Sequence, residues 1–238
     1  MFSMRRVNPL SKFTTVFVDA DETLYDFHKA EQESLKATLL TLGIEWKPQY
    51  SEIYKEENKR AWIAYECNEI TRDEMKIKRF ATFFDRVGLQ VTMPLDSVND
   101  IYISNLSQCG YLFDGANEFI ERLKSFAKVY IATNGLFKTQ SNRFKISGLY
   151  RAVDGIYISE KIGCNKPAKE YFEYIFNDLN ITDKSKAIIL GDSITADMQG
   201  GKNAGIATCL YDPHCKVEEH SLCDYVIHNY DEFFEILK

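Results

Sequence analysis

Nowhere in this chain do apolar residues run for anything close to the roughly 20 positions that a membrane-spanning helix requires, so no membrane partner is expected. The opening segment MFSMRRVNPLSKF pairs two arginines, but no apolar stretch follows them, which argues against a secretory leader and for a cytoplasmic protein. Basic residues are not in excess either. With 29 Lys and Arg interspersed among 35 Asp and Glu, the formal charge is −6, and no positive field exists to hold a nucleic-acid polymer. A small phosphorylated metabolite stays possible as a partner, because one local cation, backbone amides and a metal bind a phosphate whatever the overall charge. Six cysteines (Cys67, Cys109, Cys164, Cys209, Cys215 and Cys223) in 238 residues without an export signal read as reduced thiols rather than as a disulfide framework. Serine–histidine constellations, glycine-rich dinucleotide loops, internal repeats and low-complexity tracts are all missing. His214, Cys215, His220 and Cys223 crowd into ten positions, yet their spacing is not the paired arrangement of a zinc site, and a loop ahead of the last sheet element accounts for them more simply.

What the chain does have is an apolar fraction of 45%, ordinary for a globular protein, part of it gathered into short β-branched and aromatic runs. The runs at 14–18 (TTVFV), 129–132 (VYIA), 187–190 (AIIL) and 206–210 (IATCL) read as buried strands. Alternation of such strands with helical patterns implies an α/β fold with a doubly wound parallel sheet. From 27 to about 113 the character changes to Glu, Lys, Leu and aromatics at helical spacing, broken near Lys47-Pro48, 68–71 and Met93-Pro94. That predicts a module of about four helices inserted after the first strand, with Phe80, Phe83 and Phe84 in its core. The organisation expected is a core made of 14–26 and 114–238, the helical insertion 27–113, and an N-terminal extension 1–13. Helices over 115–125, 137–147, 168–179 and 195–204 cover the sheet, and 231–238 ends the chain as another.

The chemistry-bearing residues gather at the strand ends. Asp19-Ala20-Asp21 places two carboxylates two residues apart beyond the first strand, where open parallel sheets hold their ligands. Anionic groups set together in a crevice repel each other unless a cation or a shared proton relieves them, and magnesium is the usual hard cation when a substrate brings phosphate oxygens. Taken alone, the same residues read equally as an acidic turn capping a helix. Thr133-Asn134-Gly135 after the second run is, alone, more often a cap than a phosphate contact, and Lys166-Pro167 is usually a solvated helix entry, with Pro167 at the first helical position. Asp192 and Asp197 follow the strand at 187–190, and Asp197 alone would suit a helix start. Together the four signals run in order: carboxylate pair, hydroxyl, cation, carboxylate pair.

That order resembles the haloacid dehalogenase-like hydrolase superfamily over nearly the whole chain, which implies a Rossmann-like core with an inserted α-helical cap domain at 27–113. By that resemblance Asp19 is the nucleophile that takes a phosphoryl group, and Asp21 is the acid and base for the leaving oxygen and water. Thr133 and Asn134 contact phosphate, and Lys166 balances charge there. Asp19, the Asp21 backbone carbonyl and Asp192 hold Mg2+, with Asp197 behind them orienting Lys166 or a metal-bound water. Dehalogenation itself is disfavoured, since those enzymes use no metal and do not keep the residue at Asp21. The departure from the commonest pattern is Glu22, where glycine usually stands and where the turn conformation is at issue.

DADETLYDF, with its acidic residue at Glu22, resembles more narrowly the bacterial pyrimidine 5′-nucleotidases, as do 62–65 (WIAY), 70–71, 158–160 and 191–201. The function so implied is a magnesium-dependent phosphomonoester hydrolase acting through an aspartyl-phosphate on a nucleoside monophosphate. Sugar-phosphate or phosphoglycolate phosphatases, a sugar-phosphate mutase and a catalytically silent binding module remain the alternatives. Trp62 and Tyr65, just before the break at 68–71, are candidates to touch substrate.

Overall fold

The structure, a computed structural model, describes residues 11–67, 69–217 and 219–238. Positions 1–10, Asn68 and Glu218 lie outside the described residues, and with them most of the expected N-terminal extension, the first residue of the break at 68–71 and one residue of the 214–223 segment. Six parallel strands form one sheet: β1 (Thr15–Val18), β2 (Lys128–Thr133), β3 (Gly155–Ile158), β4 (Ala187–Gly191), β5 (Ala207–Tyr211) and β6 (Tyr225–Ile227), in the order β3-β2-β1-β4-β5-β6. The α-helices are α1 (Phe27–Thr41), α2 (Gln49–Glu66), α3 (Arg72–Arg86), α4 (Leu95–Leu106), α5 (Ala116–Leu123), α6 (Phe137–Ser147), α7 (Leu149–Ala152), α8 (Ser159–Ile162), α9 (Lys169–Leu179), α10 (Gln199–Ala204) and α11 (Tyr230–Ile236). No described helix is long and apolar enough to cross a membrane.

β1 lies inside the sheet and both of its faces are covered, which is why its sequence is apolar without alternation. Val16 and Val18 join Ile188 and Leu190 of β4 against Phe119, Ile120 and Leu123 of α5 and Phe233 of α11. Phe17 points the other way, to Ile189 and to Phe172, Ile175 and Phe176 of α9. The apolar spacing of α5 and α9 follows the helical period, so each lays one stripe on one face of the sheet.

Two compact units divide the chain: Phe27–Tyr111, which holds α1 to α4, and the sheet-bearing remainder. The boundary falls at Tyr111 rather than at 113 because Leu112 pairs with Tyr25 and the Phe113 N–H donates to the Leu24 carbonyl at 2.9 Å. The helical unit packs Tyr50, Tyr54, Phe80, Phe83, Phe84 and Tyr102 into a core of its own. Its α3 begins on a reciprocal cap, in which the Glu74 N–H donates to Thr71 Oγ1 at 3.2 Å and the Thr71 N–H to Glu74 Oε2 at 2.7 Å.

Several expectations need correction. Residues 11–13, the described end of the expected extension, pack on the sheet-bearing unit: Phe13 is buried in the sheet core, and Ser11 and Lys12 both donate to the Leu237 carbonyl. Pro167 does not open a helix; it follows Lys166 through a cis peptide bond, and α9 starts at Lys169. The helix at 195–204 is split, with a π-helical turn at Ile194–Met198 leading into α10. β3 joins the sheet as an additional edge strand.

Candidate active site

Register brings the chemistry together. Val18 is level with Ile131 of β2 and Leu190 of β4, so Asp19, the residue after β1, falls near Ala132 of β2 and Gly191, the last residue of β4, at one end of the sheet. The Asp19 N–H continues the ladder by donating to the Leu190 carbonyl at 2.8 Å. Lys166 arrives from the segment between α8 and α9, and its ammonium donates to Asp19 Oδ1, Asp197 Oδ1 and the Ala132 carbonyl, each at 2.6 Å. Three donors meet three acceptors, so this buried cation is fully satisfied. Asn134 fixes the approach: its Oδ1 accepts from the Lys166 N–H and its Nδ2 donates to the Lys166 carbonyl, both at 2.9 Å. The Asn134 side chain thus clamps the lysine's backbone and leaves its own backbone N–H as the group for a phosphate contact.

Carboxylate oxygens of Asp19, Asp192 and Asp197 lie within 4.8 Å of one another, the one cluster of potential metal-ligand atoms among the described residues. One ammonium cannot balance three carboxylates. Burial pushes Asp19 up to about 7 against the pull of Lys166, with Asp197 and Asp21 adding to the rise. Burial likewise drives Asp192 well above the ordinary carboxylate range, helped by the charges of Asp19, Asp197 and Glu22. For Lys166 burial opposes the charge, but Asp19 and Asp197 more than reverse it and hold the pKa above its usual value. An excess of closely clustered hard-oxygen donors is what a small divalent cation relieves, so the residue set fits magnesium.

Asp197 reaches inward because Ser193 and Gly191 let it. The Ser193 N–H donates to Asp197 Oδ2 at 3.1 Å, and a Cβ on Gly191 would collide with the Asp197 carboxylate. Gly191→Ala is expected to force Asp197 off Lys166 and lower the melting temperature, since overpacking of this kind costs about 1–3 kcal/mol. An unchanged melting temperature would show that Asp197 moves aside freely.

Asp21 belongs to a second group. Its Oδ1 accepts from Arg143 Nη1 at 2.5 Å and its Oδ2 from Gln140 Nε2 at 2.9 Å. Gln140 Nε2 also donates to Thr133 Oγ1 at 3.0 Å, and the Gly135 N–H donates to the same oxygen at 3.2 Å. With both lone pairs of Thr133 Oγ1 occupied, the capacity it has left is its O–H donor. Gln140 and Arg143 escaped the sequence reading; their signal was a pair at i and i+3 on the first helix after Thr133. Glu22 stands in the left-handed region at φ 58°, so the turn takes the glycine-like conformation without glycine.

Trp62 and Tyr65 lie in the helical unit, both half-buried, with rings edge to face at 5.9 Å. Tyr65 Oη accepts from Arg72 Nε at 3.2 Å and Nη2 at 2.8 Å, which puts a cation beside the aromatic pair.

Comparison with known proteins places this arrangement. The sequence model of the haloacid dehalogenase-like hydrolases matches residues 13–205. The HAD hydrolase YfnB of Bacillus subtilis is 33% identical over 229 residues, 96% of this chain and 97% of its own. A magnesium-bound crystal structure of YfnB matches this fold with a TM-score of 0.89 at 32% identity, covering 95% of this chain and 99% of that one. The pyrimidine 5′-nucleotidase PynA of Streptococcus pneumoniae is 32% identical, covering 92% of both chains, and the pyrimidine 5′-nucleotidase YjjG of Escherichia coli is 29% identical over 85% of this chain and 88% of its own. A family match that spans the sheet from β1 to β4, and a relative one-third identical over nearly the full length, give one answer: the chain belongs to the haloacid dehalogenase-like hydrolases.

Proposed function

We propose that this protein is a magnesium-dependent phosphomonoester hydrolase that acts through an aspartyl-phosphate on Asp19, with pyrimidine nucleoside 5′-monophosphates as its substrates. The observation that carries the chemistry is the Asp19–Asp192–Asp197 cluster with its single ammonium. Asp19, Asp192 and the Asp21 carbonyl would hold Mg2+, which when bound supplies charge neutralisation for an attacking carboxylate and the phosphate it approaches. In the first step an Asp19 oxygen bonds to phosphorus as the bond from phosphorus to the leaving oxygen breaks, and that oxygen takes a proton from Asp21. In the second step a water oxygen bonds to phosphorus, its proton passes to Asp21, and the aspartyl oxygen leaves. Lys166 stays on Asp19 through both steps, and the Thr133 O–H is offered to a phosphate oxygen. The protein matters here as a positioner and an electrostatic partner more than as a source of covalent chemistry.

The substrate class rests on the two nucleotidase relatives and on Trp62 and Tyr65, whose half-buried rings suit a planar base. The helical unit Phe27–Tyr111 serves in this reading as the cap that selects the leaving group. The test is phosphate release from a panel of pyrimidine and purine monophosphates, sugar phosphates, phosphoglycolate and p-nitrophenyl phosphate, with Trp62→Ala run alongside. Uridine or thymidine monophosphate should have the highest kcat/KM. An aromatic stacking contact worth about 1–3 kcal/mol predicts a loss of roughly tenfold to a hundredfold on them in the variant. p-Nitrophenyl phosphate should lose much less. Equal losses on both with a lower melting temperature would return Trp62 to a packing role, and no phosphate release from any ester would end the phosphatase reading.

A further inference from the structure

The hydrogen bonds around Gln140 admit one arrangement. Arg143 has donors only, so the Gln140 oxygen that meets Arg143 Nη1 at 3.0 Å must be the acceptor Oε1. That turns the amide nitrogen toward Asp21 Oδ2 and Thr133 Oγ1, where both of its hydrogens are used. Flipping the amide would set Oε1 against a carboxylate oxygen and leave Arg143 facing an NH2 group. Gln140 and Arg143 are each only 1% exposed, so no water takes over these bonds at little cost. Arg143 is itself braced, with its guanidinium 4.3 Å from the Tyr25 ring centroid and Tyr25 Oη 2.7 Å from Ser147 Oγ on the same helix. Gly135 leaves the necessary room, since a Cβ there would stand 2.5 Å from Gln140 Cγ.

We propose that Gln140 and Arg143 are positioning residues that lock the Asp21 carboxylate and the Thr133 hydroxyl into one rigid unit, so that the proton-transfer group and the phosphate-facing hydroxyl keep a fixed separation through both chemical steps. The assignment rests on the phosphatase reading above. Both oxygens of Asp21 are held from α6, one by each residue, and the same amide that holds Asp21 also orients Thr133. A displacement of about 1 Å at such a group is enough to cost on the order of a hundredfold in rate.

p-Nitrophenyl phosphate separates positioning from packing, because nitrophenolate leaves without a proton while hydrolysis of the aspartyl-phosphate still needs a base. Gln140→Met keeps the length and removes the donors. It is expected to give a near-stoichiometric burst of nitrophenolate, lower steady-state kcat by about a hundredfold and accumulate acid-stable phosphoenzyme, with KM falling in step so that kcat/KM for this ester is nearly unchanged. Uridine monophosphate, whose leaving oxygen needs a proton, should show a slow first step and no burst. Arg143→Lys, which keeps the charge but loses the fork, should give the same signature more weakly and serves should Gln140→Met fold poorly. Unchanged kcat in both variants overturns the proposal, as does a fall in burst rate and kcat by the same factor. No phosphate release from any ester by the unmodified protein is a separate result that overturns the phosphatase reading and this assignment with it.

Discussion

Asp19→Asn is expected to leave no measurable turnover while the metal-free protein melts no lower, and above pH 7 melts higher, than the parent. An amide oxygen cannot act as the attacking carboxylate, and the substitution preserves shape, so the chemical loss comes without a cavity. The stability gain follows from the raised pKa. An unfolded aspartate titrates near 3.8, whereas burial moves Asp19 to about 7 in the folded chain. Between those values the folded state binds a proton that the unfolded state does not, so this group's contribution falls as pH rises through the window and is lowest above pH 7. Asparagine carries no such proton, and the difference in melting temperature between the two proteins should vanish below pH 4. Wild-type turnover in the purified variant, with deamidation excluded by mass spectrometry, would remove Asp19 as the nucleophile.

Chelation should be as damaging as that substitution. Activity is expected to vanish in excess EDTA, return with magnesium and not return with calcium, whose longer bonds and larger coordination number do not suit the in-line geometry. Because Asp19 and Asp192 both hold protons more tightly than free carboxylates do, metal binding must displace protons, and apparent affinity should rise from pH 6 to pH 8. Calorimetric titration in two buffers of different ionisation enthalpy measures that proton release independently of turnover. Full activity in chelator would point away from phosphoryl transfer.

The central strands were readable because they are buried on both faces, which leaves a continuous apolar run at 15–18 and again at 187–190. β3 escaped because GIYI is an edge strand with three of its four residues only partly buried, so little in its composition separates it from a loop. Asp19, Asp21 and Asp192 were legible as carboxylates at strand ends, a placement that topology makes meaningful, whereas Lys166, also expected at a strand end, lies in the segment between α8 and α9. The partners of Asp21 were not legible. A Gln and an Arg three apart on a helix read as a solvated face, and only the tertiary position of α6 turns them inward. The π-helical turn was equally hidden: the N–H groups of Asp197 and Met198 both donate to the Ser193 carbonyl, a local widening that periodicity does not register. The second role of Asn134 was hidden too, since nothing in the order of residues shows that its side-chain amide meets the peptide of Lys166, 32 positions on.

The pairing of β1 also has a temporal side. Its four residues bond to 128–131 on one edge and 187–190 on the other, while the helical unit completes its own core by Tyr111. During synthesis the strand that leads into Asp19 emerges more than 100 residues before either neighbour exists. Contacts of such long range slow folding, and an apolar strand with open edges is a template for association with other chains. A nascent chain halted before residue 187 would present VFV with one edge unpaired, and holding that edge apart is a task for a chaperone rather than for the finished sheet.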